Sequence, residues 1–464
     1  MRPNRFGWID ALLALVVLAV AGGLRVGYVM TYCDPALPAP LHVQDADTAI
    51  SLVRPSGYTL TDRDVLVDNL CQSYRFGNRA PLSDLEEDTA RVSPGYPWLV
   101  ATVAGFVDDP ESATAILRWA QCALGALTAL FYFLFARLLF GSSFVGLLAG
   151  LLTAINPFWI LNVAELQDGT LASFLLASCL FLGTASTRRG NVLGSLLFGG
   201  SLAGMTLVRA ALLPYTFLAC LWFLLHCRNI PRGWVCALLA VLGFGNGLAP
   251  WLVRDLQAFG EVIPITDSLY LDLWIGNNNG ARGGPQNEQT MREALPPQRL
   301  KEIRAEPNQA RRYNMLAEDL KTIIQDNPTG VIEKRLRSGT CFLVGAAWFR
   351  DYSMAREQLT PSQPTPLPRG LPLALRLALL VMFTLGLMGW RWSYGWNPGA
   401  NLASLAFLWV PLPYILSHAE DFSGPRLPLD GVLLTFVAFA LAWMLPPVAR
   451  IVFPEDDVQG NEEW

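Results

Sequence analysis

Residues 114–140 read TAILRWAQCALGALTALFYFLFARLLF, an apolar run long enough to test against a bilayer core. A helix needs about 20 residues to cross that core, and this stretch exceeds it. Nine further runs pass on either side of it, at 8–29, 143–160, 169–186, 190–207, 211–227, 234–252, 371–389, 400–418 and 430–449. The expected fold is therefore an all-α polytopic membrane protein with about ten transmembrane helices. Composition agrees: the 464 residues are 52% hydrophobic and 16% charged, where an ordinary soluble domain carries about 25% charged residues.

The run at 8–29, WIDALLALVVLAVAGGLRVGYV, follows Arg2 and Arg5 as a signal peptide would. Its length exceeds a signal core, and MTYCDP after it offers no small-residue cleavage site, so it reads as an anchor. An even number of spans puts both termini on one side. Arg2, Arg5, Arg137, Arg188, Arg189, Arg228, Arg232 and Arg391 fall on that side, which the positive-inside rule makes cytoplasmic. Two long segments, 30–113 and 253–370, are then extracytoplasmic. The expected organisation is an N-terminal membrane module over 1–252, an outer region over 253–370, C-terminal membrane helices over 371–449 and an acidic tail over 450–464. The cell (inner) membrane is the expected location, with an extracytoplasmic active site and function concentrated in the outer segments, because long loops are uncommon without a role.

A net charge of −4 argues against nucleic acid as a partner, since phosphate neutralisation needs a basic face. Of the eight cysteines, Cys33 and Cys71 could pair in an oxidising compartment, and none of the eight shows metal-ligand spacing. His42, His226 and His418 are scattered and suggest neither a metal site nor a triad. Within the first outer segment TDRDVLVDNLCQSYRFGN (61–78) reads as a short surface helix, and SPGYPWLVATVAGFV (93–107) is too short to cross. In the second, β-branched alternation around Val262–Thr266 leads to a Gly/Asn-rich turn cluster, and 287–340 is polar and helix-prone. No internal repeat is visible, which weakens an inverted-repeat transporter reading.

Chemistry has few places to sit. Asp45/Asp47 and Asp62/Asp64 form two Asp-x-Asp pairs in the first outer segment, where a carboxylate could act as a base or a metal ligand, or could simply be solvated. Asp168 stands at a span end, where an ionisable group is either a helix N-cap or functional. Arg209 and Arg254 lie at the outer face, against the positive-inside rule; they suit a phosphate headgroup, or an interfacial pair such as Arg254 with Asp255. Tyr58, Tyr74, Tyr96, Trp98, Trp251 and Trp274 fall where an aromatic belt is expected.

Several pieces, in order, carry a family resemblance: LRVGYV (24–29), DRDVLVDNL (62–70), TARVSPGYPWLVA (89–101), RWAQCALGALTALFYFLFARLLFG (118–141), NPFWILNVAELQDGTLASFLL (156–176), PWLVRDLQAFGEVIPITDSLYLDLWIGNNNGARGG (250–284) and HAEDFSGPRLPLD (418–430). In these the chain resembles the GT-C glycosyltransferases of the dolichyl-phosphate-mannose protein mannosyltransferase and aminoarabinose transferase type. The resemblance implies a GT-C fold and inverting transfer of a sugar from a polyprenyl-phosphate donor to an acceptor at the outer face. By it, Asp62 or Asp64 would be the base, assisted by Asp168, and Arg209, Arg254 and Arg426 would hold the donor phosphate. The loop carrying Trp274, Asn277 and Asn278 would fold over the donor. The implied partners are the lipid-linked sugar, membrane lipid and an acceptor that is protein, lipid or polysaccharide. A divalent cation is the one cofactor such a site could take, and no metal ligands are assigned. The family's base is followed by Glu and then Tyr, whereas Asp62 is followed by Arg63 with no Tyr before Asn69, so Asp45 and Asp47 stay as rivals. A lipid-linked-sugar flippase and a catalytically inactive GT-C scaffold are the alternatives.

Overall fold

A computed structural model of the chain describes residues 6–32, 93–106, 110–164, 168–228, 230–283, 297–306, 311, 314–344, 371–393, 398–417 and 426–445. Among these it is helical with no strand. In chain order the helices are α1 (Trp8–Tyr32), α2 (Gly95–Phe106), α3 (Pro110–Phe140), α4 (Ser143–Ile155), α5 (Pro157–Asn162), α6 (Gly169–Arg189), α7 (Val192–Val208), α8 (Leu213–Cys227) and α9 (Gly233–Phe259). There follow α10 (Leu269–Asn277), α11 (Pro297–Ala305), α12 (Leu316–Asp326), α13 (Pro328–Val344), α14 (Leu371–Trp392), α15 (Pro398–Trp409), α16 (Leu412–Leu416) and α17 (Leu427–Met444).

Among the described residues seven stretches are long and apolar enough to cross a membrane: Trp8–Thr31, Ala115–Phe140, Gly169–Arg188, Ala210–Cys227, Gly233–Gln257, Pro398–Leu416 and Leu427–Met444. Three shorter apolar helices, Ser143–Ile155, Val192–Val208 and Leu377–Trp392, stand where further spans are expected. The chain is an integral membrane protein. Two of the expected continuous spans are broken. The run at 143–160 divides at Asn156, whose extended backbone (φ −61°, ψ 119°) ends α4 while its Oδ1 accepts from Phe158 N at 3.0 Å to cap α5. Pro157, lacking an N–H, suits the first position of the new helix. The run at 400–418 is interrupted by a turn at Val410–Pro411, where the Pro411 backbone stays helical and no side chain caps α16.

Helix α17 is the centre of the bundle. Every residue from Leu427 to Ala440 is buried, as a helix apolar on all sides requires. It packs against α3, α4, α6, α14 and α15. Small residues set how closely helices approach, because burial in lipid provides no hydrophobic drive between them. A Cβ on Gly199 of α7 would stand 2.1 Å from the Ala240 carbonyl oxygen of α9, and one on Gly243 would stand 2.5 Å from that of Leu196. At one end of the bundle α1 is tied to α3 by Asp10, which accepts from Arg137 Nε at 2.9 Å and from Ser143 Oγ at 2.6 Å.

The segment after α9 differs from its sequence reading. Residues 262–266 form no strand, although the alternation survives: Ile263 and Ile265 are buried and Val262 is exposed. The Gly/Asn cluster is a turn only from Asn278 onward, because Leu269–Asn277 is helical. Leu271, Trp274 and Ile275 of that helix pack with Ile303 and Leu316 as a small separate core. The polar 287–340 stretch is helical in α11, α12 and α13, as expected. Likewise α2 is too short to cross: its 12 residues span about 18 Å.

Candidate active site

Asp168 immediately precedes α6, at the end of the bundle away from Asp10. It occupies the N-cap position but makes no side-chain cap bond. Its carboxylate instead forms a two-pronged pair with Arg209: Nε donates to Oδ2 at 2.6 Å and Nη2 to Oδ1 at 2.7 Å. This fork geometry is what a planar guanidinium offers a carboxylate. Arg209 is turned inward because α7 ends there: its backbone is extended (φ −142°, ψ 103°), a short 3-10 turn follows, and Ala210 N donates to Ser93 Oγ at 2.9 Å. The Arg209 side chain is 7% exposed and that of Asp168 26%, so the carboxylate is the member of the pair that meets solvent.

The start of α6 abuts the start of α17. A Cβ on Gly169 would stand 3.1 Å from Leu427 Cδ1 and 2.9 Å from Asn162 Oδ1. Arg426, next to Leu427, is 2% exposed and donates through Nε to Asp430 Oδ1 at 2.9 Å. Among the described residues its Nη1 and Nη2, and Asp430 Oδ2, are buried without a hydrogen-bond partner. Two helix N-termini thus lie side by side with a buried guanidinium holding unspent donors, an arrangement suited to an anion. Arg254 is paired with Asp255 (Nη1 to Oδ1, 2.7 Å), the sequence alternative, and lies over the rings of Trp251 at 4.9 Å and Phe259 at 5.4 Å. Trp251 packs in one cluster with Ala210, the residue after Arg209.

The proposed bases Asp62 and Asp64, and their rivals Asp45 and Asp47, lie outside the described residues, as do the expected helix at 61–78, Cys33 and Cys71. No cluster of three metal-ligating side chains occurs among the described residues. Trp274, Asn277 and Asn278 are all buried. Asn277 Nδ2 donates to the carbonyls of Leu273 (2.7 Å) and Leu416 (3.1 Å), and Asn278 Nδ2 to those of Trp274 (3.3 Å) and Ile275 (3.0 Å). Lys334 Nζ caps the carbonyls of Asn277 (3.2 Å) and Asn278 (2.8 Å), while Arg335 binds those of Gly276, Ile415, Leu416 and Ser417. Burial, with the Arg335 charge beside it, pulls the Lys334 ammonium below its usual range. This is a clamp between α13, the end of α10 and the end of α16. The donors of Asn277 and Asn278 are engaged by backbone, and Trp274 fills a core.

Sequence reasoning passed over a polar row on α3. Arg118, Gln121, Gly125, Thr128 and Tyr132 follow helical spacing and share one face, and the four with side chains are all buried. Arg118 Nε donates to Ala164 O at 3.1 Å, Gln121 Nε2 to Val163 O at 3.0 Å and Tyr132 OH to Pro428 O at 3.2 Å. Tyr96, expected in an aromatic belt, is buried and donates to Gln121 Oε1 at 2.9 Å; Trp251 is buried with its Nε1 on Ile265 O, and Trp98 is exposed as a belt residue should be. The row was visible as a period of three and four polar residues inside an apolar run. Arg25 on α1, fully buried, joins it at Gly125.

Comparison with known proteins agrees with this architecture. Residues 91–252 match the model of the dolichyl-phosphate-mannose-protein mannosyltransferase family, a stretch that includes Asp168 and Arg209. Two crystal structures of the Archaeoglobus fulgidus oligosaccharyltransferase, one tethered to an acceptor peptide containing the NVT sequon and one in the apo form, share the fold at TM-score 0.50. Their identities are 13% and 12%; 96% and 97% of this chain is covered, but only 51% and 52% of those chains. This chain thus spans about half the length of the structures it matches. No curated protein matches the sequence. The protein is a polytopic membrane protein of the GT-C fold. Within that class its matched segment is similar to the dolichyl-phosphate-mannose-protein mannosyltransferases.

Proposed function

We propose that the protein is a glycosyltransferase that moves a sugar, with inversion, from a polyprenyl-phosphate donor to an acceptor hydroxyl or phosphate at the extracytoplasmic face. The observation that carries this reading is the forked Asp168–Arg209 pair beside the paired starts of α6 and α17, with Arg426 holding two unspent donors there. The match over residues 91–252 and the shared fold support it.

Inverting transfer needs an in-line acceptor oxygen, a base for its proton and positive charge for the departing phosphate. In this reading Arg426 takes the phosphate, aided by the helix N-termini, and Arg209 orients Asp168 toward the reacting sugar. Arg254, stacked on Trp251, supports the same wall. Asp62 or Asp64 removes the acceptor proton. The clamp of Lys334 and Arg335 on Asn277, Asn278 and α16 positions the outer segment over this end of the bundle. The sugar is a hexose or a pentose, and the acceptor a protein, lipid or polysaccharide.

The test is to incubate purified protein in lipid with a panel of labelled polyprenyl-phosphate hexoses and pentoses. Release of polyprenyl phosphate from one donor, absent in Arg426→Gln, is expected. Movement of an intact donor across vesicles without cleavage would instead indicate a flippase.

A further inference from the structure

Arg426 and Asp430 differ from the other buried ion pairs in how little of each group is engaged. Asp10 accepts from Arg137 Nε (2.9 Å) and Nη2 (3.4 Å), from Ser143 Oγ (2.6 Å) and from Gly7 N (3.0 Å), so both of its oxygens are occupied. Asp168 likewise uses both oxygens on Arg209. Arg426 and Asp430, with side chains 2% and 1% exposed, share a single hydrogen bond, Nε to Oδ1 at 2.9 Å. Among the described residues Arg426 Nη1 and Nη2 and Asp430 Oδ2 have no partner. A pair in that state is a poor stabiliser, because one bond does not offset the desolvation of two charges. Buried polar groups in native proteins are otherwise satisfied, so this pair has a role other than holding the fold.

The turn that carries both residues is fixed in place. Arg426 caps α17 and Asp430 follows one turn later, so the two side chains share a face of the helix. Tyr132 of α3, fully buried, donates from its hydroxyl to Pro428 O at 3.2 Å, and a Cβ on Gly431 would stand 2.1 Å from Cε2 of its ring. Asp430 is therefore a rigid anchor. Its bond to Nε sets the plane of the guanidinium and leaves the outer edge, Nη1 with Nη2, for an acceptor that offers two oxygens. Arg209 is the contrast, since Asp168 occupies its Nε and Nη2 edge.

We infer that Asp430 is a positioning residue for the phosphate site: it aims the outer edge of Arg426 at the donor phosphate and, through its negative charge, keeps that phosphate from being held too tightly to leave after transfer. The inference rests on the reading of Arg426 as the phosphate ligand. Asp430 acts only through Arg426. Two opposed effects follow. With no acceptor for Nε, the ligand itself must immobilise the long arginine side chain, which weakens binding. With an acceptor kept and the carboxylate charge removed, the guanidinium meets the phosphate uncompensated, which strengthens binding.

The experiment uses the purified full chain in detergent and reads the affinity for farnesyl phosphate, with farnesol as the control, from the rise of the unfolding midpoint. Wild type should bind farnesyl phosphate saturably, and Arg426→Gln should not. Asp430→Ala should weaken binding about two- to tenfold, the cost of ordering one long side chain. Asp430→Asn, whose amide oxygen still accepts from Nε, should tighten it by about tenfold. A pair that serves only the fold would lower the midpoint of both variants without shifting phosphate affinity in opposite directions. Unchanged affinity in Asp430→Ala, or unchanged or weaker affinity in Asp430→Asn, overturns the role of Asp430 and leaves Arg426 as the phosphate ligand. Should Asp430→Ala fail to fold, Asp430→Asn carries the test. No binding by wild type, or equal binding by wild type and Arg426→Gln, overturns the reading of Arg426 and this inference with it.

Discussion

Asp168→Asn is the substitution that most directly probes the forked pair, because it keeps the shape and removes one charge. Arg209, whose side chain is 7% exposed, would then face an amide that accepts one hydrogen bond in place of two. Breaking a fully buried pair from one side costs about 3–5 kcal/mol. Asp168 is 26% exposed, so water reaches the vacated position, and a loss of about 2 kcal/mol is expected. Turnover should drop far more than stability, by about 10²–10⁴-fold, if the carboxylate meets the reacting groups. The double variant Asp168→Asn/Arg209→Gln separates the two effects: removing the stranded cation should restore stability to within about 1 kcal/mol of wild type while turnover stays lost. The assay is thermal unfolding in detergent beside release of labelled polyprenyl phosphate. Near-wild-type turnover in folded Asp168→Asn, or recovery of turnover in the double variant, would refute the reasoning.

Asp62→Asn or Asp64→Asn should cost about 10²–10⁴-fold in turnover with the unfolding midpoint unchanged; if both retain activity, Asp45 and Asp47 become the residues to test. Gly199→Ala should destabilise by about 1–3 kcal/mol, since its Cβ would fall 2.1 Å from the Ala240 carbonyl oxygen, and an unchanged midpoint would show that α7 and α9 can part. Asn277→Ala with Asn278→Ala should lower stability by about 1 kcal/mol per lost bond and leave donor affinity intact, whereas weaker donor binding at unchanged stability would give these side chains a direct role in recognition. A reporter active only outside the cytoplasm, fused after Trp464, should be silent; a strong signal would reverse the topology read from the arginines.

The lipid-spanning character of this chain was legible in its sequence, because the apolar length of a span is a local property and the bilayer imposes it. Residues 114–140 announce a crossing helix to any reader, and the structure places a helix there. Asp168 and Arg209 were each legible as ionisable groups in an expensive place. Their union was not, since 41 residues and the turn at the end of α7 separate them and only the folded chain brings them within 2.6 Å. Asn277 and Asn278 show the reverse: their residue types favour a turn, but Lys334 from α13 binds both of their carbonyls, Arg335 binds that of Gly276 beside them, and Asn277 donates to the Leu416 carbonyl of α16, in a buried helix end. Arg25 and the polar row on α3 read locally as blemishes in apolar runs. Only tertiary packing decided that they face inward onto one another, because the partners of a buried polar group are chosen by whichever helices come to lie against it, and no local pattern encodes that choice.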